Sequence, residues 1–416
     1  MTGLSGPSNR NHRDLPSAVG GRSGVSLKSN GFCDGLMRVE TQSRGLAHLL
    51  IGLLLLQIIA GLSTPAIVLD SPVDSKLTNS SLTNNGDGTW TITYSVDMDT
   101  TLDSGNTTAD RTGFPQFEVG WTEDRQETRI GLLGLDLSAE GFPTNATIEN
   151  ASLQLHLDFS PSPVDVQAWS ILRQDWAIEE STWITRNVNS QWSSPGALGN
   201  MDSGAWQDRQ LVQTNSSMVE FDVTQTVEIA QYRQLNSQDS RAGFLLTPGF
   251  GGEMGVASFH SSESTLASHR PVVEITFRWE SPTFLGNSPT WIDIQPKLGI
   301  SDADSTLDFI AQIRSERGTA VNAGVSWSTT SGTIDGSGRL SPTQSGTITI
   351  GAEGAGASGT QEVLIQSGAP LGLAMANSNY SITVDDVVPI IAYGVDQHWN
   401  PVYGLSFIWS TSSGII

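Results

Sequence analysis

The sequence predicts an all-β chain: a jelly-roll β-sandwich head followed by tandem Ig-like β-sandwiches, the last of them incomplete. Three observations carry that expectation. From Ile67 onward, short alternating polar and apolar runs are separated by clusters of Gly, Asn, Asp, Pro and Ser. Charged residues make up 15% of the 416-residue chain beside 43 glycines, which disfavours long charged helices and coiled coils. Finally, Trp327–Ile334 returns as Trp409–Ile416 with six identities in eight at an offset of 82, a period that suits one small β-sandwich per repeat.

Taken in order, residues 1–36 are rich in Gly, Ser, Asn and Arg without apolar periodicity, the composition of a disordered leader. Leu49–Leu62 is 14 residues of nearly pure apolar sequence, short for a membrane span of about 20 residues and suited to the hydrophobic region of a signal peptide. Arg38 and Arg44 precede it, and Ser63-Thr64-Pro65-Ala66 supplies small residues for cleavage. Residues 37–66 therefore read as a signal peptide, and a secreted or cell-surface location follows. The rival reading is an uncleaved signal anchor, with the membrane met through the leader alone. Met37 stands at normal signal-peptide spacing, so translation is expected to begin there. Cys33, the sole cysteine, falls in the leader, which leaves the exported part without disulfides, multi-cysteine metal centres or a cysteine lipid anchor.

The head is expected over residues 67–279. Ser152–Phe159 alternates polar and apolar for eight residues, the signature of a half-buried strand. Similar runs occur at Thr91–Tyr94, Val164–Val166, Val219–Val223 and Val272–Phe277, and Thr224–Gln234 reads as one short helix. An Ig-like domain is expected at 280–368 and a second, truncated one at 369–416; Ile310-Ala311 recurs as Ile391-Ala392, so the repeat covers whole units. Half a sandwich leaves an apolar sheet face uncovered, so the sequence reads as part of a longer protein.

Charge sharpens the class. The whole chain carries 43 acidic against 21 basic residues, net −22; beyond residue 66 the balance is 40 against 15. Such a surface repels a phosphate backbone, which argues against nucleic acid as a partner.

The order and spacing of short motifs across residues 99–277 resemble the DNRLRE domain, a family related to the family 96 carbohydrate-binding modules. The carriers include Asp99-Thr100-Thr101-Leu102-Asp103, Phe117-Glu118-Val119-Gly120, Arg129–Ser138, Ile148–Leu155, Trp176 with Glu179–Trp183, Phe221–Thr224, Gly243–Leu246, Phe259–Glu263 and Arg270–Val273. Residues 291–366 resemble the bacterial Ig-like domains of invasin-type adhesins through Val325–Ser328, Ile334–Leu340 and Gly346–Ile350. The two resemblances imply a binding or adhesive head on stalk repeats.

Catalytic signatures are sparse. No G-x-S-x-G, H-E-x-x-H, P-loop or paired Cys is present, so the chain is read as a non-enzyme, with any catalytic domain lying beyond Ile416. Gly354–Gly359 satisfies G-x-G-x-x-G, but with no helix after it the stretch reads as a strand connection. His156 falls on the polar face of an alternating strand, and His260 and His269 flank Ser261-Ser262-Glu263; structural or solvent roles suit them better than catalysis.

Five tryptophans, 169, 176, 183, 192 and 206, lie within 38 residues. An indole face can stack on a sugar ring while nearby amides and carboxylates bond its hydroxyls. Trp169, Trp176 and Trp183 are assigned to packing. Trp192 and Trp206, in the polar segment 187–213, and Trp121 beside Glu123 and Asp124 are the expected carbohydrate contacts. Asp97, Asp99 and Asp103 alternate near the start of the head with Asp87 and Asn106 close in sequence; structural calcium and a solvated acidic loop both explain them. Asn79, Asn106, Asn145, Asn150, Asn215 and Asn379 each open an N-x-Ser/Thr sequon, compatible with a surface glycoprotein. The leading expectation is non-catalytic recognition of polysaccharide or cell-surface glycan. The alternatives are a purely structural stalk or surface-layer protein, and the non-catalytic part of a polysaccharide-degrading enzyme.

Overall fold

Strand-forming runs between turn residues give fourteen strands in the head. They are β1 (Ser81–Asn84), β2 (Trp90–Ser95), β3 (Met98–Asp103), β4 (Gln116–Trp121), β5 (Thr128–Asp136), β6 (Thr147–Phe159), β7 (Val164–Ile171), β8 (Thr185–Asn187), β9 (Ser190–Gln191), β10 (Ser203–Val212), β11 (Met218–Asp222), β12 (Arg241–Pro248), β13 (Gly255–His260) and β14 (Val272–Arg278). One helix, α1 (Thr224–Leu235), joins β11 to β12. All five expected runs lie on strands or, for Val223, at a strand's end, and the expected helix extends one residue further. The computed structural model describes residues 81–122, 125–284, 286–376, 380–383 and 385–413. The leader 1–36, the segment 37–66, Glu123 and Asp124 lie outside the described residues.

The head is a two-layer antiparallel sandwich. One layer runs β1-β2-β14-β6, with β11 also on β6; the other runs β5-β12-β7-β10, with β3 on β5, and β13 and β4 link the layers. Between them lies a core that includes Ile92, Tyr94, Leu153, Leu155, Phe221, Ile275 and Phe277 from the first layer and Phe117, Leu133, Val166, Phe244 and Phe259 from the second. Strand β14 shows the alternation that one covered face requires, with Val273, Ile275 and Phe277 buried. Strand β7 does not alternate: all eight residues are buried. A second apolar cluster explains this, because Leu102, Ile130, Leu132, Trp169, Ile171, Trp176, Trp192 and Leu245 pack on the outer face of that sheet. The polar-looking segment 172–202 thus acts as a lid over a second small core.

Ten further strands form the next domain: β15 (Pro289–Gln295), β16 (Gly299–Asp302), β17 (Leu307–Asp308), β18 (Ile310–Ser315), β19 (Ala320–Val321), β20 (Ser326–Thr329), β21 (Thr333–Ile334), β22 (Arg339–Ser341), β23 (Gly346–Gly354) and β24 (Ala357–Gln366). Seven make one sheet, in the order β19-β18-β15-β24-β23-β20 with β16 also on β24, and β17-β22-β21 make a second. Ile294, Phe309, Leu340, Ile350, Val363 and Ile365 fill the space between them, and the repeat's Trp327 packs against that core. The G-x-G-x-x-G stretch is the β23–β24 hairpin: Gly354 pairs with Ala357, and Ala355 (φ 52°) with Gly356 (φ 87°) makes the two-residue turn.

The last strands, β25 (Gly372–Met375), β26 (Ala392–Val395) and β27 (Pro401–Val402), form a three-stranded sheet. Leu371, Leu373, Tyr403 and Ile408 remain exposed there.

Candidate functional site

Strand β10 runs antiparallel to β7, and its register slips on either side of Trp206. Such a bulge re-aims the side chain. Trp206 is the consequence: among the five clustered tryptophans it stands out as 51% exposed. Its indole borders a groove of about 610 Å³ lined also by Gln207, Gln225, Glu228, Trp291 and Glu316. On its other side a depression of about 260 Å³ is lined by Trp169, Arg209, Thr360 and Glu362. Trp206 is therefore a partition at the junction of the head and the next domain.

The polar groups of the groove are held in place. Gln207 Nε2 donates to Gln225 Oε1 at 3.3 Å, and Gln207 Oε1 accepts from the Thr226 amide at 3.2 Å. Among the described residues Trp291 Nε1 has no hydrogen-bond partner. Burial, with help from the nearby Glu316 and Asp222 charges, pushes the Glu228 carboxyl up to about 7. A carboxyl near that value presents a donor as well as acceptors around neutral pH.

Several charged side chains cross the junction. Arg209 reaches Asp165 at 2.7 Å within the head and Glu362 at 2.7 Å in the next domain. Arg317 lies 4.1 Å from the Tyr232 ring centroid and donates to its hydroxyl at 3.0 Å. Lys297, fully buried and paired with Asp293 in its own domain, reaches across to the head, 4.4 Å from the Trp169 ring centroid and 3.4 Å from the Gly204 carbonyl.

The other expected sugar contacts do not reach solvent. Trp192 is 5% exposed and donates its indole N–H to the Thr182 carbonyl at 3.0 Å. The reasoning that a polar segment leaves its indoles uncovered fails because that segment folds down onto the sheet. Trp121 is 4% exposed, donates to the Gly249 carbonyl at 3.0 Å and stacks on Phe250. Trp169 and Trp176 are buried and Trp183 half-buried, so the packing role expected for these three matches their places.

The three aspartates do not converge either. Asp97 is exposed just before β3. Asp99 is buried and accepts from the Ser262 amide at 2.7 Å. Asp103, four residues and about 13 Å along the strand, is buried between Arg111 and Arg129 and accepts from the Gly105 and Asn106 amides. Alternation in sequence put Asp99 and Asp103 on one face but too far apart to share an ion, and two guanidiniums already neutralise the second. The structure thus does not bring the carboxylates of Asp99 and Asp103 together around one point.

Sequence reasoning missed Gln225, Glu228, Trp291 and Glu316. Their meeting depends on the docking of two domains, for which no local signal exists. No protein-family model matches the chain, and no curated protein matches it. The DNRLRE and invasin-type resemblances thus rest on the quoted motifs.

Proposed function

We propose that this is an exported cell-surface protein that binds glycan without catalysis at the junction of its head and first Ig-like domain. The observation that carries the reading is the half-exposed Trp206 indole, set on a bulge between two grooves and flanked by the Gln207–Gln225 amide pair and the raised carboxyl of Glu228. A flat aromatic face with fixed amides and carboxyls beside it is what a sugar ring and its hydroxyls require. Glu228, Glu316 and Asp222 make the groove acidic, which favours neutral over anionic saccharides. The apolar segment Leu49–Leu62 supports export, and the sequon asparagines 106, 145, 150 and 215 are all exposed, in keeping with a glycosylated exterior. The test is a glycan array followed by calorimetry on the best neutral oligosaccharide. Trp206→Ala is expected to weaken binding at least about tenfold, the loss of one stacking contact. Undiminished binding overturns the assignment.

A second reading, a structural stalk, draws on the docking of the two domains through Arg209 with Glu362 and Lys297 over Trp169. Silence on the array together with self-assembly of the purified chain selects it.

A further inference from the structure

The histidines at 156, 260 and 269 are separated by up to 113 residues of chain, yet they meet at one corner of the head. His156 lies on β6, His260 closes β13, and His269 sits in the short turn before β14. The His156 and His269 rings are nearly parallel with centroids 4.7 Å apart, and His260 and His269 are 4.9 Å apart. His260 Nε2 faces His269 Nδ1 at 3.3 Å and Asp158 Oδ1 at 3.6 Å.

The His260 and His269 nitrogens form a long hydrogen bond in the absence of metal, and their separation is also one that two ligands of a single ion can take. Around a tetrahedral ion with ligands at roughly 2.0–2.1 Å, neighbouring donor atoms stand about 3.3–3.4 Å apart. The second ring nitrogen of His260, Nδ1, lies 3.1 Å from Ser264 Oγ. If Nδ1 carries the proton and donates it there, Nε2 keeps its lone pair, the arrangement that orients ligating histidines. Among the described residues His156 Nδ1 has no hydrogen-bond partner.

Among the described residues no three His, Cys, Asp or Glu side chains already surround one point. At this corner His260 Nε2 stands near both His269 Nδ1 and Asp158 Oδ1, and a shared site requires the Asp158 side chain to turn toward His269. That side chain is 39% exposed and its Oδ2 accepts a long 3.5 Å bond from Gln116.

We propose that His260 Nε2, His269 Nδ1 and the Asp158 carboxylate bind a borderline divalent transition metal, with water in the remaining position. Imidazole nitrogen with one carboxylate is a donor set for Zn²⁺ or Cu²⁺ rather than for calcium, which takes oxygen. The ion would tie the end of β13 and the connection 261–271 to β6.

The test uses the full chain, stripped with chelator and titrated with ZnCl₂ by calorimetry, with CoCl₂ added in parallel to read the intense visible absorption of tetrahedral cobalt. One Zn²⁺ per chain, a higher melting temperature with zinc, and the cobalt spectrum are expected. His269→Gln and Asp158→Asn, at incompletely buried positions, should each lower the affinity about tenfold or more while melting like wild type without metal. Absence of saturable zinc binding by the wild type overturns the proposal. So does zinc binding that both variants retain in full, which would place the ion elsewhere in the chain.

Discussion

The Lys297 ammonium of the first Ig-like domain stands 4.4 Å from the centroid of the Trp169 ring in the head. The same nitrogen pairs with Asp293, and both side chains are completely buried. Burial pushes the lysine down and the aspartate up, and their mutual attraction opposes both shifts. The pair lies within one domain, with Arg314 3.9 Å from the same carboxylate. What crosses to the head is the ammonium itself, over the Trp169 ring and 3.4 Å from the Gly204 carbonyl, and removing it leaves a buried carboxylate without its nearest cation. Lys297→Ala is expected to destabilise the chain by about 3–5 kcal/mol, whereas Lys297→Met with Asp293→Leu recovers most of that loss. Urea denaturation measures both; a Lys297→Ala variant as stable as wild type contradicts the account.

Packing at Gly134 sets a second expectation. A Cβ built there would stand 2.6 Å from Trp176 Cη2, and the ring has little room to retreat because it is buried in the lid core. Gly134→Ala should cost about 1–3 kcal/mol, as overpacking does. Adding Trp176→Phe to that variant should return part of the loss in the same denaturation assay. Independent, additive effects of the two substitutions would show that they do not meet.

Two tryptophans fourteen residues apart should behave oppositely. Trp192→Ala opens a cavity in the lid core and is expected to cost about 3–5 kcal/mol. Trp206→Ala, at a half-exposed position, should cost under about 1 kcal/mol yet weaken glycan binding at least about tenfold. Thermal melts paired with binding isotherms separate the two, and a strongly destabilised Trp206→Ala would assign that side chain to packing.

The carboxyl of Glu228 makes stability depend on pH. Its folded-state value of about 7 lies above the ordinary 4.5. Below 4.5 both states hold the proton and nothing is lost. Between 4.5 and 7 the unfolded chain ionises while the folded one does not, so stability falls as pH rises through that window, and the full penalty applies above it. Glu228→Gln should therefore raise stability at pH 8 by about 1 kcal/mol, allowing for partial solvent screening. It should change little at pH 4. A gain that is the same at both pH values would exclude titration as its cause.

Much of the fold was legible because strand periodicity is a local property. Ser152–Phe159, Val219–Val223 and Val272–Phe277 alternate in sequence because one face of each strand meets the core of the sandwich. The repeat motif likewise marked out a unit whose Trp327 packs against the core of the second sandwich. Where alternation breaks, as in β7, the reason is a second covering layer that periodicity cannot reveal.

The site was legible in part. Composition singled out a cluster of aromatic residues in a polar stretch, and Trp206 was among them. What separated Trp206 from Trp192 was a bulge in β10 and the folding of the lid, both set by long-range pairing. Asp97, Asp99 and Asp103 looked like ligands because sequence distance ignores the ~3.3 Å rise per residue of a strand and the arginines brought against it from elsewhere.

By itself, then, the sequence determined the all-β class, the repeat and the acidic, cysteine-free character of the chain beyond residue 66, because these follow from residue type and spacing. The tertiary structure alone decided which indole faces solvent, which carboxyl meets a guanidinium, and that three distant histidines share a corner. Each of those outcomes depends on contacts between segments far apart in the chain.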